Sequence, residues 1–237
     1  MSQSTAKARV TLSFEAKLGE MEFFLKMIES EWKATILELE QKGQLKDLTH
    51  QERVNYFFSG FSNSFQSIKD VLNSITGAAP WSAFSSIENF SFIKNSRNAI
   101  THDGLQLIST FNDGRYYVEH AGGSLRRYDD KNNEVEIPCP AEEIVTVCKR
   151  FYLDLLKIIK EIIEANPLSF EVGNQDVSIM VAQSINENSV VPDFVKDMLK
   201  GNKTLIGDAV AQMGKYNSSA LIKKIDERIS KSSSEST

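Results

Sequence analysis

Arg97, Asn98 and His102 are the residues of this chain best suited to chemistry, standing in the run Arg97-Asn98-Ala99-Ile100-Thr101-His102 that closes on Asp103-Gly104. Histidine moves protons near neutral pH. Arginine grips a pair of phosphoryl oxygens through parallel hydrogen bonds. An amide beside it can orient the phosphate or the imidazole. These groups suffice to cut RNA at a phosphate with no metal. RNA carries its own nucleophile, the 2′-hydroxyl. The protein has to take its proton, stabilise the crowded phosphorane and protonate the leaving 5′-oxygen. DNA lacks that hydroxyl, so the activity expected is confined to RNA.

Helix geometry sets a condition on such a site. Arg97 and His102 are five residues apart and diverge by roughly 140° on an ideal helix. Asn98 and His102, four apart, share a face. A concerted site therefore needs the long arginine to reach around, a helix that ends at the motif, or a second copy of the chain. Gly104 is well placed to end the helix. There the helix dipole favours an imidazolium at His102, and Asp103 adds to it.

The bare spacing recurs at Arg115-Tyr116-Tyr117-Val118-Glu119-His120. That copy lies in a predicted strand, where residues five apart point to opposite faces, and it lacks a polar residue after the arginine. A purely structural reading pairs Arg97 with Glu88 or Asp103 and leaves His102 to cap helix carbonyls. Lys94, Arg126 and Arg127 are the candidate RNA-contacting cations. Arg126-Arg127 and Lys149-Arg150 could make a basic surface with Tyr116, Tyr117 and Tyr128, but solvated strand and helix faces account for them more simply. Gly122-Gly123-Ser124 has no following lysine and helix, so it reads as a turn and not a phosphate loop.

The elements that must hold these residues are mostly helical. Phe14, Leu18, Met21, Leu25, Ile28, Trp32, Thr35 and Leu39 recur in steps of three and four, predicting a long first helix that stops at Gly43. A second starts near Thr49 with Glu52 in a capping box and His50 exposed beside it. Its stripe is Val54, Phe57, Phe61, Phe65, Ile68, Leu72 and Ile75, read as core and not as base-stacking aromatics. Gly77 and Pro80 end it. A third helix is expected from about Ser82 to Thr101. From 106 to 137 the pattern changes to turn clusters and short β-prone runs, predicting a hairpin or meander inserted in a helical body. A fourth helix follows, with Pro140 in its first turn and Ile144, Val147, Phe151, Leu155, Ile158 and Ile162 inward. Residues 168–230 read as a helical C-terminal part, with helices near 176–186, 191–200, 203–214 and 218–230. Phe194, Met198, Leu205, Val210, Leu221, Ile225 and Ile229 form its modest core. The Ser-rich tail 231–237 is expected to be disordered. The fold class is thus mostly α: a bundle of about four long helices with a small β insertion.

Composition narrows the function. The chain has 237 residues, is 41% hydrophobic and 25% charged, and carries a net charge of −5. A non-specific DNA binder is usually basic overall, which argues against broad capture of nucleic acid but leaves room for a local basic site. No apolar run approaches the ~18 residues of a membrane span, and Met1 to Arg9 has no signal core. No membrane partner and a cytoplasmic location are expected. Cys139 and Cys148 read as free thiols, and no metal or other cofactor is expected.

The arginine, the polar residue after it and the histidine resemble the hallmark of the HEPN family, helical domains common in prokaryotic toxin–antitoxin and phage-defence systems. The resemblance rests on Arg97, Asn98 and His102 and on the long helices of about residues 8–166. The insertion at 106–137 and the helices after 168 fall outside the shared core. It implies a metal-independent endoribonuclease, and a homodimer in which two motifs face one another across a cleft. An antitoxin or other defence protein would be the partner besides RNA. The alternative it allows is a non-catalytic module that uses the same bundle to bind a protein or nucleotide.

Overall fold

The computed structural model describes residues 3–129, 131–168, 179, 182–185, 187, 189–201 and 217–234. The first helix, α1 (Gln3–Lys42), buries Phe14, Leu18, Met21, Leu25 and Ile28 along one stripe. It ends where Gly43 turns left-handed, φ 68°, and returns its amide to the Leu39 carbonyl. Helix α2 (Thr49–Thr76) runs back antiparallel along it. Its early His50 lies by Glu31 and Glu38, Gly60 faces the Phe24 ring, and the later Ser64 lies by Glu20.

Three local expectations for α2 are revised. Thr49 makes no capping box; Leu48 is the N-cap, and the Asp47 carboxylate takes the Thr49 amide at 2.9 Å. The inward phenylalanine is Phe58, four residues after Val54, while Phe57 is only partly buried. His50 is not exposed: its side chain is 15% accessible, with Nδ1 2.5 Å from Glu31 and Nε2 2.7 Å from Glu38. A single helix cannot reveal that contact, because both carboxylates belong to α1.

The third helix starts later than its apolar spacing suggests. Trp81–Phe84 form a 3-10 turn after Pro80, and Asn89 takes a left-handed φ of 61° before α3 (Phe90–Asp103) begins. Phe84 and Ile87 are buried all the same. Ser85, Ser86 and Asn89 are residue types that favour turns over helix interiors, so apolar spacing there marks burial and not a helix. Gly104, φ 68°, ends α3, and Leu105 donates back to Ala99.

The insertion consists of two hairpins. β1 (Ile108–Asn112) pairs antiparallel with β2 (Arg115–Val118) around Asp113-Gly114, both at positive φ, the geometry of a primed hairpin turn. β3 (Ser124–Tyr128) pairs antiparallel with β4 (Glu134–Pro138) in a separate two-stranded sheet. Helix α1 holds the first hairpin: Trp32 Nε1 donates to the Gly114 carbonyl at 2.7 Å, and Thr35 meets the buried Tyr116 hydroxyl at 3.0 Å.

Helix α4 (Ile144–Ala165) is capped by Glu143, whose carboxylate accepts from the amides of Val145 and Thr146. Pro140 therefore lies ahead of the first turn and not within it. The buried face is broader than one stripe, adding Val145, Tyr152, Leu156, Ile159 and Ile163, with Ile158 at its margin. Phe65 of α2 is the aromatic centre of the core, with Phe151, Trp81 and Phe84 at centroid distances of 4.9, 5.5 and 5.6 Å.

In the C-terminal part, α5 (Asp193–Gly201) corresponds to the helix expected at 191–200, but Phe194 is 73% exposed and supplies no core. Residues 179 and 182–185 are helical within the expected 176–186. The segment 203–214, with Leu205 and Val210, and the side chain of Met198 lie outside the described residues. Helix α6 (Ser218–Ser234) sends Leu221 and Ile225 into the same core as the bundle. It is tied down by Lys160–Asp226 at 2.7 Å, Lys224–Glu15 at 2.5 Å and Arg228–Glu22. It also runs through Lys231–Ser234, four residues of the tail expected to be disordered. No helix among the described residues is long and apolar enough to cross a membrane.

Candidate functional site

Helix α3 carries the whole motif on its last two turns, and two neighbouring cavities open along it. The larger, about 630 Å³, lies between the end of α3 and the second hairpin. Asn95, Asn98, His102 and Asp103 form one wall; Arg127, Tyr128, Asp129 and Val135 form the other. The smaller, about 170 Å³, lies between α3, α2 and the 3-10 turn, and is lined by Arg97, Lys94, Asn98, Trp81, Gln66 and Ser62 among others.

Asn98 belongs to both walls. The divergence expected from helix geometry is therefore real: within one chain Arg97 and His102 line different cavities, with Asn98 between them. Arg97 Nη1 donates to Asn98 Oδ1 at 3.0 Å. With its oxygen so engaged, the Asn98 side chain keeps its NH₂ as a donor. Arg97 Nε is buried and has no hydrogen-bond partner among the described residues.

The structural alternative for Arg97 fails on its partners. Asp103 belongs to Arg127, through Nε at 2.5 Å and Nη2 at 3.1 Å. The nearest guanidinium nitrogen to Glu88 is that of Arg150, at 4.0 Å. Arg97 makes no ion pair among the described residues. His102 is exposed in the last turn of α3, on the rim of the larger cavity. The Arg127 hydrogen bond holds the Asp103 carboxyl below its ordinary pKa.

The candidate RNA contacts separate. Arg127 faces the larger cavity and is only 9% exposed in its ion pair, whereas Arg126, on the opposite face of β3, is 71% exposed and pairs with Glu134 at 3.1 Å. Alternation along a strand makes neighbours diverge in this way. Lys94 lines the smaller cavity, its Nζ 5.3 Å from the Trp81 ring centroid and 5.8 Å from Phe90. The broader basic surface does not assemble. Lys149 pairs with Glu29, Arg150 with Glu142, and Tyr116 is buried.

The second copy of the spacing has no such setting. Arg115 opens β2, while His120 lies beyond the strand in an exposed turn at φ 57° beside Glu119. Neither belongs to the walls of the two cavities. Sequence reasoning missed Asn95, which lies three residues before Asn98 and was open to helical counting. It also missed Gln66 and Trp81, which no local pattern connects to α3. No family model, curated protein or solved structure matches this chain.

Proposed function

We propose that this protein is a metal-independent endoribonuclease of the HEPN type, acting as a homodimer in a toxin–antitoxin or phage-defence setting. The observation that carries the reading is Asn98: it holds the Arg97 guanidinium and lines the cavity that contains His102. One chain offers the cation on one side of that amide and the proton carrier on the other. A second motif facing the first would join them in a composite cleft.

In the reaction a histidine takes the proton of the 2′-hydroxyl. The O2′–P bond forms as the P–O5′ bond breaks, and the departing 5′-oxygen receives a proton. Arg97 neutralises the charge that gathers on the phosphorane oxygens. Asn98 orients the guanidinium and donates its NH₂ toward the phosphate. The products are a 2′,3′-cyclic phosphate and a 5′-hydroxyl.

The test is cleavage of single-stranded RNA by the purified full-length protein, with the termini identified. His102→Ala and Arg97→Ala are expected to lower the rate by about 10²-fold or more, and His120→Ala to leave it unchanged. Undiminished cutting by His102→Ala removes this site as its source, and no cutting by the intact protein leaves the non-catalytic binding module as the reading.

A further inference from the structure

The smaller cavity has a chemistry of its own. Lys94 and Arg97, three residues apart and so neighbours on α3, both line it, and no carboxylate does. Neither cation has an ion-pair partner among the described residues, whereas the nearby Lys69 is matched by Asp70 at 3.0 Å. The Lys94 ammonium lies over Trp81, at a separation that gives cation–π attraction and so orients it. Two unmatched cations in a cavity of about 170 Å³ suit an anion of phosphate size.

Its position suggests what carries that phosphate. Lys94, Asn98 and His102 follow one another at four-residue intervals, about 6 Å apart along the helix axis. A strand lying along this ridge crosses Asn98 from one cavity to the other. We infer that the smaller cavity is a phosphodiester subsite, in which Lys94, oriented by Trp81, grips the phosphate next to the scissile one. The substrate identity rests on the ribonuclease reading above; the anion chemistry does not.

Binding of a short 2′-O-methyl RNA strand, which cannot be cleaved by 2′-oxygen attack, tests the subsite by fluorescence anisotropy across a salt series. Lys94→Gln is expected to weaken binding about five- to tenfold and to lower the slope of log K against log salt by about 0.7. Lys157→Gln, remote on α4 and paired with Asp154, is expected to change neither. With cleavable RNA, Lys94→Gln should raise KM and leave kcat within about twofold, as loss of uniform binding does. Inorganic phosphate distinguishes the source. Lys94-dependent competition at millimolar levels supports a site that takes any phosphate; Lys94-dependent strand binding without competition supports a subsite built for a strand. Equal affinity and slope in Lys94→Gln, or no strand binding by the intact protein, overturns the proposal. Lys94-dependent binding with no cleavage of RNA supports the subsite and removes the ribonuclease reading. Cleavage with KM and slope unmoved by Lys94→Gln does the reverse.

Discussion

Arg127 of β3 clasps Asp103 at the end of α3 through two hydrogen bonds, Nε to Oδ2 at 2.5 Å and Nη2 to Oδ1 at 3.1 Å. Asp103 follows His102 directly, so the clasp joins the second hairpin to the motif and closes the larger cavity on that side. A guanidinium and a carboxylate meeting in a fork fix orientation as well as distance.

Breaking the clasp is expected to loosen the hairpin while sparing the bundle. Asp103→Asn should cost about 1 kcal/mol in urea denaturation. Because Arg127 depresses the Asp103 pKa, its contribution is present above the unfolded value of about 3.9 and is lost as pH falls through the folded value. The stability gap between the intact protein and Asp103→Asn should therefore close in acid. A gap independent of pH from about 7 down to about 3 would contradict this.

His50 sets a pH dependence of the opposite sign. Partial burial opposes its charge, but hydrogen bonds to Glu38 and Glu31 prevail and raise its pKa. Its stabilisation is full below the unfolded value of about 6.5 and is lost as pH rises through the folded one. Arg53, 3.4 Å from Glu31, and Lys42, 2.8 Å from Glu38, share those carboxylates but stay charged through that range. Urea midpoints should fall with rising pH above about 6.5 in the intact protein, and His50→Gln should flatten that fall. An equal slope in both proteins would place the titration elsewhere.

Asn55 acts as a piece of backbone. It accepts from the Ile108 amide at 3.0 Å and donates to the Ile108 carbonyl at 2.7 Å, so the start of β1 is stitched to α2. Asn55→Ala leaves two buried backbone groups unmet and should cost about 2–4 kcal/mol. Asn55→Leu fills the space yet restores neither bond, so it should remain destabilised by a similar amount. Recovery of stability in the leucine variant would show that volume, and not hydrogen bonding, is what matters there.

A composite dimer cleft makes a sharper demand than loss of activity in single variants. Arg97→Ala and His102→Ala protomers, each inactive alone, should regain activity when mixed and allowed to exchange. Their heterodimer keeps one site with both residues intact. With random exchange the mixture should reach about a quarter of the native rate. A mixture as inactive as its parts, despite heterodimers seen by mass, would place both residues' work within one chain.

Much of the scaffold was legible because helical burial is periodic. The stripe from Phe14 to Ile28 lies inward as spaced, and Gly43, Gly77 and Gly104 end their helices at positive φ. Asp113-Gly114 turns the first hairpin as its composition demands. Errors arose where one residue decides a face. Phe57 and Phe58 both suit a helix, and only packing against α1 and α3 selects Phe58, which stacks with Phe92 at 5.7 Å. The start of α3 moved to Phe90 because Phe84 and Ile87 satisfy an apolar pattern from a turn as well as from a helix.

The candidate site divides along the same line. Sequence alone determined that Arg97, Asn98 and His102 ride one helix, that Asn98 and His102 share a face, and that Arg97 points away from His102. Those are consequences of helical pitch and stop at the surface of α3. Tertiary structure decided what each face meets: Arg127 against Asp103, Trp81 beneath Lys94, and two cavities sharing the Asn98 wall. Such contacts join residues far apart in the chain, and their geometry comes from how the helices and hairpins pack, which no local period encodes.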